Sequence, residues 1–316
     1  MRCLNLRRWR QGLLLLALAG TGPALAQAQA PVATQQVDAP GAFPESMTVA
    51  PDGTLVFSAL SGNHLLRAID PQHVVPWIKV PGQGVSIYGV LADAARNTLW
   101  SCIVRRVDGG LQTTLNRYTL DTGALVSATL FPGRGRCNDI SVGPDGVVYA
   151  TDIEAGRLFS LDPNTGTLKL LLDDAALKGL DGITWLQGVL YVNNFRTGAL
   201  DRVQLPDAAP GTPAKLIPQR LSRPLEKPDG MRLSGDGALL VAEGVGRMSL
   251  LRPCGADCFE VRTLAEELDG PTAVSVRAGL AWVVDARLRE RTAVAQRTLA
   301  PTGFIARAYC MADACP

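Results

Sequence analysis

The stretch Lys227–Met248, KPDGMRLSGDGALLVAEGVGRM, holds two turn-like signals, and only one of them reads as a turn. Ser234-Gly235-Asp236-Gly237 lies between the apolar runs Met231-Arg232-Leu233 and Ala238-Leu239-Leu240-Val241. Gly and Asp tolerate the positive φ angles of a tight hairpin, so the spacing predicts strand, turn, strand. Pro228-Asp229-Gly230 has the same local chemistry, yet it stands where the first of those strands begins. What Asp229 does at a strand start is decided by the rest of the chain.

The pattern recurs. Glu45-Ser46-Met47-Thr48-Val49-Ala50-Pro51-Asp52-Gly53 runs into Thr54-Leu55-Val56-Phe57, and Asn138-Asp139-Ile140-Ser141-Val142-Gly143-Pro144-Asp145-Gly146 runs into Val147-Val148-Tyr149-Ala150. Asp181-Gly182-Ile183-Thr184-Trp185-Leu186-Gln187-Gly188 precedes Val189-Leu190-Tyr191-Val192, and weaker copies start at Tyr88 and Thr272. The six starts, at 45, 88, 138, 181, 229 and 272, give a period of 43 to 50 residues. Short alternating strands at that period, with no convincing helix, predict an all-β chain folded as a six-bladed β-propeller. Two separate β-sandwiches are the alternative, and one period kept through all copies argues against them. A single blade cannot bury both faces, so the ring must close. The sixth blade is expected to take a strand from between Ala33 and Ala39.

In a propeller the first strand of every blade lines the central channel, so equivalent positions form a ring at one mouth. That ring reads Glu45, Tyr88, Asn138, Asp181, Asp229 and Thr272. Capping a turn is the commonest use of Asp and Asn. It accounts for Asp52, Asp145 and Asp236 but not for Glu45. Carboxylates converging on one axis repel and are costly to desolvate, and a cation removes both problems. Oxygen ligands without His or Cys suit a hard ion, Ca²⁺ better than Mg²⁺ in a wide ring, with another divalent cation as the variant.

At these residues the chain resembles the senescence-marker-protein/gluconolactonase, or regucalcin-like, family of six-bladed propeller hydrolases. The resemblance spans roughly residues 40 to 290. It rests on Glu45 in Pro44-Glu45-Ser46, on Arg136-Cys137-Asn138-Asp139 against the family's Arg-x-Asn-Asp, and on Pro228-Asp229-Gly230-Met231 against Pro-Asp-Gly-Met. Asp181-Gly182 stands where the family has Asn-Gly. The resemblance implies Glu45, Asp181 and Asp229 as metal ligands, Asn138 at both ion and substrate, and Arg136 on the substrate. It also implies Asp229 as general base, with Asp181 a second one that the family's Asn could not supply. The implied activity is hydrolysis of a lactone or related ester, a small-molecule substrate whose carbonyl is polarised by the ion. Paraoxonases and diisopropyl-fluorophosphatases share such a ring. The paraoxonase histidine pair has no carrier here, because only His64 and His73 exist and both read as surface hairpin or loop of blade one. An aryl-ester or organophosphate hydrolase, and a non-catalytic propeller binding a ligand or protein, are the alternative readings.

Composition sets the compartment. Arg2, Arg7, Arg8 and Arg10 precede the apolar Leu13–Leu18 and the small residues of Ala24-Leu25-Ala26, which predicts a signal peptide over residues 1–26 and a periplasmic or secreted protein. Arg7-Arg8 also allows a twin-arginine route. With those four arginines gone, 31 − 4 leaves 27 basic residues against 29 acidic ones. A near-neutral surface without basic runs excludes nucleic acid and anionic membranes as natural partners. The mature domain is expected to run from 27 to 316, with a C-terminal tail from about 290. Cys3 leaves with the leader, so six cysteines remain. Cys254 with Cys258 and Cys310 with Cys315 are expected as local disulfides, while Cys102 and Cys137 are left open, bonded or free. Arg202, Arg220, Arg223 and Lys227 either line an entrance for an acidic ligand or form a solvated face.

Overall fold

The computed structural model describes residues 29–206, 213–294, 303–312 and 315, so the expected leader lies outside the described residues. The chain forms six antiparallel sheets arranged as the blades of a propeller. From blade one to blade six the innermost strands are Met47–Val49, Val85–Asp93, Cys137–Val142, Leu180–Leu186, Pro228–Leu233 and Pro271–Arg277. Each packs beside the next, and the sixth returns to the first. Blade five carries a short fifth strand, Arg220–Leu221, parallel to Cys258–Ala265. The turn at Ser234–Gly237 forms as the sequence predicts, with the Ser234 amide donating to the Ala238 carbonyl at 2.8 Å.

The closing blade is built from both chain ends. Its order is Ala33–Val37, Phe304–Cys310, Leu280–Asp285, Pro271–Arg277. The N-terminal strand therefore falls where the sequence placed it. The tail expected from about 290 does not hold as drawn. Leu288–Val294 is a short α-helix, and Phe304–Cys310 is the third strand of blade six. The alternation Phe304, Ala306, Ala308 supplies the reason, since all three are buried between blades six and one beside Phe43, Phe57 and Trp282. Each such large side chain contributes roughly 2 to 3 kcal/mol when withdrawn from water.

The innermost strands of blades two to six all slip register near their start, between Ile87/Val90, Cys137/Ile140, Leu180/Ile183, Pro228/Met231 and Pro271/Ala273. The residues within those bulges include Tyr88, Asn138, Asp181, Asp229 and Thr272, the ring positions of the repeat. A bulge adds an unpaired residue and re-aims its side chain. Here it turns one residue per blade toward the channel. Glycine follows the ring residue in blades two, four and five because the neighbouring backbone comes so close. A Cβ on Gly182 would stand 2.5 Å from the Asp229 carbonyl oxygen, and one on Gly230 would stand 2.8 Å from that of Thr272. Side chains then stitch blade to blade at this level. Thr151 Oγ1 donates to the Asp181 carbonyl at 2.7 Å, Asn193 Nδ2 to that of Asp229 at 2.8 Å, and Thr272 Oγ1 to that of Pro44 at 3.1 Å.

Three disulfides are present: Cys254–Cys258, Cys310–Cys315 and Cys102–Cys137. The last resolves the open pair. It joins the second strand of blade two to the start of blade three's inner strand, beside Asn138, with the Cα atoms 5.3 Å apart. Three such bonds are compatible with an oxidising environment. No helix among the described residues is long and apolar enough to cross a membrane.

Candidate site in the central channel

The common register sorts the channel-lining residues into three levels. At one mouth stand Glu45, Tyr88, Asn138, Asp181, Asp229 and Thr272. Next come Ser46, Gly89, Asp139, Gly182, Gly230 and Ala273. Two residues further along stand Thr48, Leu91, Ser141, Thr184, Arg232 and Ser275. Small residues dominate the middle level, so Asp139 is its one acid and Arg232 is the one charged residue of the last.

At the mouth, Glu45, Asn138, Asp181 and Asp229 are all buried, at 7%, 4%, 2% and 8% exposure. Asn138 Nδ2 donates to Asp181 Oδ1 at 2.5 Å. Burial pushes the Glu45 carboxyl well above its ordinary range, and Asp181 and Asp139 push it further against the pull of Arg232 and Arg136. Burial raises Asp181 in the same way, reinforced by Asp229 and Asp139. Asp229 is raised by burial, then by Glu45 and Asp139. The three carboxyls therefore act on one another through a low-dielectric space.

Four other buried acids are answered by arginine, while Asp201, on the third strand of blade four, is raised by burial alone. Asp152 meets Arg157 at 2.5 Å, Glu243 meets Arg223 at 2.8 Å and Arg247 at 3.0 Å, Asp139 meets Arg232 at 2.7 Å, and Asp285 faces Arg307. Three of these, Asp152, Glu243 and Asp285, close the second strands of their blades, and Asp152 and Glu243 hold the loops there. Among the described residues, Glu45, Asp181 and Asp229 take part in no such pair. These three differ from the lone Asp201 in that they gather at one mouth and act on one another, a donor set suited to a hard cation. No group of three His, Cys, Asp or Glu side chains among the described residues is already drawn into metal-holding geometry. The fit is therefore one of chemistry and placement, not of formed coordination distances.

Arg136, the expected substrate contact, lies beside this mouth. Its guanidinium stands 5.6 Å from the Tyr88 ring centroid and pairs with Glu154 at 3.1 Å. Tyr88 also feels Arg291 of the Leu288–Val294 helix, which is fastened to Ser61 Oγ at 3.1 Å and to the Leu60 carbonyl at 3.2 Å. Sequence reading missed Arg291, whose only signal was an arginine run after the last repeat. It also missed the Arg232–Asp139 pair. The cluster between blades four and five is neither a free entrance nor simply solvated: Arg223 belongs to the Glu243 network, and Arg202 faces Asp257 at 3.8 Å. His64 begins the third strand of blade one, and His73 is an exposed loop residue paired with Asp70 at 2.9 Å.

No family model matches this sequence, and no curated protein matches it. Solved structures do match. A luciferin-regenerating enzyme superposes with a TM-score of 0.64 at 15% identity, over 89% of this chain and 96% of its own. A gluconolactonase from Xanthomonas campestris gives 0.59 at 17%, over 86% and 88%. Virginiamycin B lyase from Staphylococcus aureus gives 0.57 at 11%, over 87% and 98%. At such identities the likeness speaks for the fold, which carries different chemistries in these three. The chain is thus a six-bladed β-propeller, the fold it shares with these structures.

Proposed function

We propose that this protein is an exported, calcium-dependent hydrolase of lactones or related esters. The carrying observation is the set of three buried carboxylates, Glu45, Asp181 and Asp229, gathered with Asn138 at one channel mouth without a basic partner. These four residues would hold the ion. When bound, it supplies a Lewis acid that polarises the substrate carbonyl and a positive charge for the oxygen that turns negative.

The chain's own residues do the rest. Asp229, buried at the mouth, takes a proton from the attacking water. Asp181 is the second group at the same mouth able to do so. Asn138 holds Asp181 in place and presents an amide to the substrate. Arg136, held over Tyr88, orients a hydroxyl or carboxylate of the substrate. The four mouth residues are at most 8% exposed, which strengthens each of these interactions.

Metal content by mass spectrometry, together with turnover on a panel of lactones, aryl esters and phosphotriesters, tests the proposal. Asp229→Ala is expected to lower lactone hydrolysis by about 10²- to 10⁴-fold with an unchanged circular dichroism spectrum. Full activity in that variant, or after EDTA treatment, overturns the mechanism. Bound metal without turnover on any of the panel assigns the site to ligand binding instead.

A further inference from the structure

Below the mouth a guanidinium crosses the channel. Arg232 leaves the inner strand of blade five and meets Asp139 of blade three with two hydrogen bonds, Nη1 to Oδ2 at 2.7 Å and Nη2 to Oδ1 at 2.8 Å. Nη1 also donates to its neighbour's carbonyl, Met231, at 2.8 Å, and Nη2 reaches the Val90 carbonyl of blade two at 3.5 Å. Asp139 in turn accepts the amide of Ile183 in blade four at 3.1 Å and that of Ile140 at 2.9 Å. One ion pair therefore ties blades two, three, four and five at the channel axis. Both side chains are nearly enclosed, at 12% and 5% exposure. A cavity of about 400 Å³ opens at the far end of the channel with Arg232 in its lining, and no mouth-level residue nor Asp139 lines it.

The charges explain why a cation must stand there. Four carboxyls share the channel, Glu45, Asp181, Asp229 and Asp139, none more than 8% exposed. One divalent ion at the mouth cannot neutralise all four. Asp139 lies one level deeper, where the other positions are Gly, Ala and Ser46, so it is the one charged side chain of its level. Arg232 fills that space with its two hydrogen bonds to Asp139. We infer that Arg232 is a resident cation of the channel, standing where a second metal ion would otherwise be needed and making the propeller a one-ion site entered from one mouth. It is a positioning residue: through Asp139 and Ile183 it fixes the bulges that carry Asn138 and Asp181. This rests on the one-ion site proposed above, and the test separates the two.

The experiment counts ions. Wild type, Arg232→Met, Arg232→Met with Asp139→Asn, and Arg232→Lys are titrated with Ca²⁺ by calorimetry and equilibrium dialysis, and melted in EDTA and in millimolar CaCl₂. Arg232→Met is expected to bind one Ca²⁺ more than wild type and to gain more in melting temperature from CaCl₂. The double variant, with no charge left to answer, returns to the wild-type count. Arg232→Lys keeps the charge and stays at the wild-type count. The increment carries the result: a wild type that binds no ion overturns the proposed function, while a gain of one ion in Arg232→Met still supports Arg232 as the resident cation. An unchanged count and unchanged calcium-dependent melting in a folded Arg232→Met overturn the inference. An extra ion in Arg232→Lys overturns it even if Arg232→Met does not fold.

Discussion

Glu243 offers a quantitative test of how the strand bearing Asp229 is anchored. Its carboxylate accepts from Arg223 Nη2 at 2.8 Å, Ser249 Oγ at 2.6 Å, the Glu226 amide at 2.8 Å and Arg247 Nη2 at 3.0 Å. Those donors reach the loop and strand on either side of Pro228, which pairs with Glu243 across the sheet. Burial alone would raise this carboxyl, but the hydrogen bonds from Arg223, Ser249, Glu226 and Arg247 outweigh it and bring the pKa from 4.5 down to about 2. A folded-state value below the unfolded one stabilises the fold at pH above the unfolded pKa, and that contribution is lost as pH falls through the folded value. At about 1.36 kcal/mol per pKa unit, the ionised form contributes up to roughly 3 kcal/mol at pH 7. At pH 3 the same relation leaves about 1.5 kcal/mol. Glu243→Gln removes the charge at nearly constant shape. Urea unfolding should therefore separate it from wild type by about 3 kcal/mol at pH 7 and by about half that at pH 3, with a loss in melting temperature of roughly 5 °C at neutral pH. A gap equal at both pH values would refute the ion-pair account, and a gap below about 1 kcal/mol at pH 7 would show the network to be solvent-screened.

Two further outcomes follow from the channel. Gly182→Ala sets a Cβ 2.5 Å from the Asp229 carbonyl and 2.7 Å from Asn193 Nδ2. It should destabilise the protein by about 1 to 3 kcal/mol and weaken Ca²⁺ binding measured by calorimetry, and an unchanged affinity would mean that blade spacing does not set the mouth. Glu45, Asp181 and Asp229 have raised pKa values in the fold, so metal-free protein holds extra protons there relative to the unfolded chain. Their destabilisation is absent below the unfolded values of 3.8 to 4.5 and grows as pH rises through the raised ones. Melting in EDTA should therefore worsen from pH 5 to pH 8, while saturating Ca²⁺, worth about 2.7 kcal/mol at 100-fold over its Kd, restores it most at the higher pH. A calcium-induced shift that shrinks with rising pH would count against the site.

Much of the architecture was legible because the repeat carries its own register. Aligning Asp181-Gly182-Ile183 with Asp229-Gly230-Met231 was enough to place both acids at one level, and the bulges in the strands explain why that level faces the channel. The lone Glu45 was informative because no turn needs a glutamate. What stayed hidden depends on contacts between distant positions. Arg232 looks like the polar face of an ordinary hairpin until blade three brings Asp139 across the axis, 93 residues away in sequence. Cys102 and Cys137 are 35 residues apart and belong to different blades, so no local loop betrays their bond. Phe304–Cys310 escaped notice because a long connection carrying the helix Leu288–Val294 separates it from Leu280–Asp285, where the other blades pass to their third strand directly. Its partner Ala33–Val37 was anticipated from closure alone, not from its own polar sequence.

That closure has a kinetic consequence. Among the described residues Ala33–Val37 is the first strand in the chain and pairs with Phe304–Cys310, the last one, so its ladder waits for about 270 further residues of synthesis. Five blades can assemble in order as hairpins of low contact order, but sealing the circle is a long-range step made at the end. Once sealed, no blade has a free neighbourless face from which unzipping can start. Opening must begin by parting this one four-stranded sheet, where the Phe43 and Phe304 rings pack tilted with centroids 5.2 Å apart. The lifetime of the folded ring is thus governed by that seam, and a single hydrogen-bonded strand near the N-terminus acts as the latch on the unfolding rate of the entire propeller.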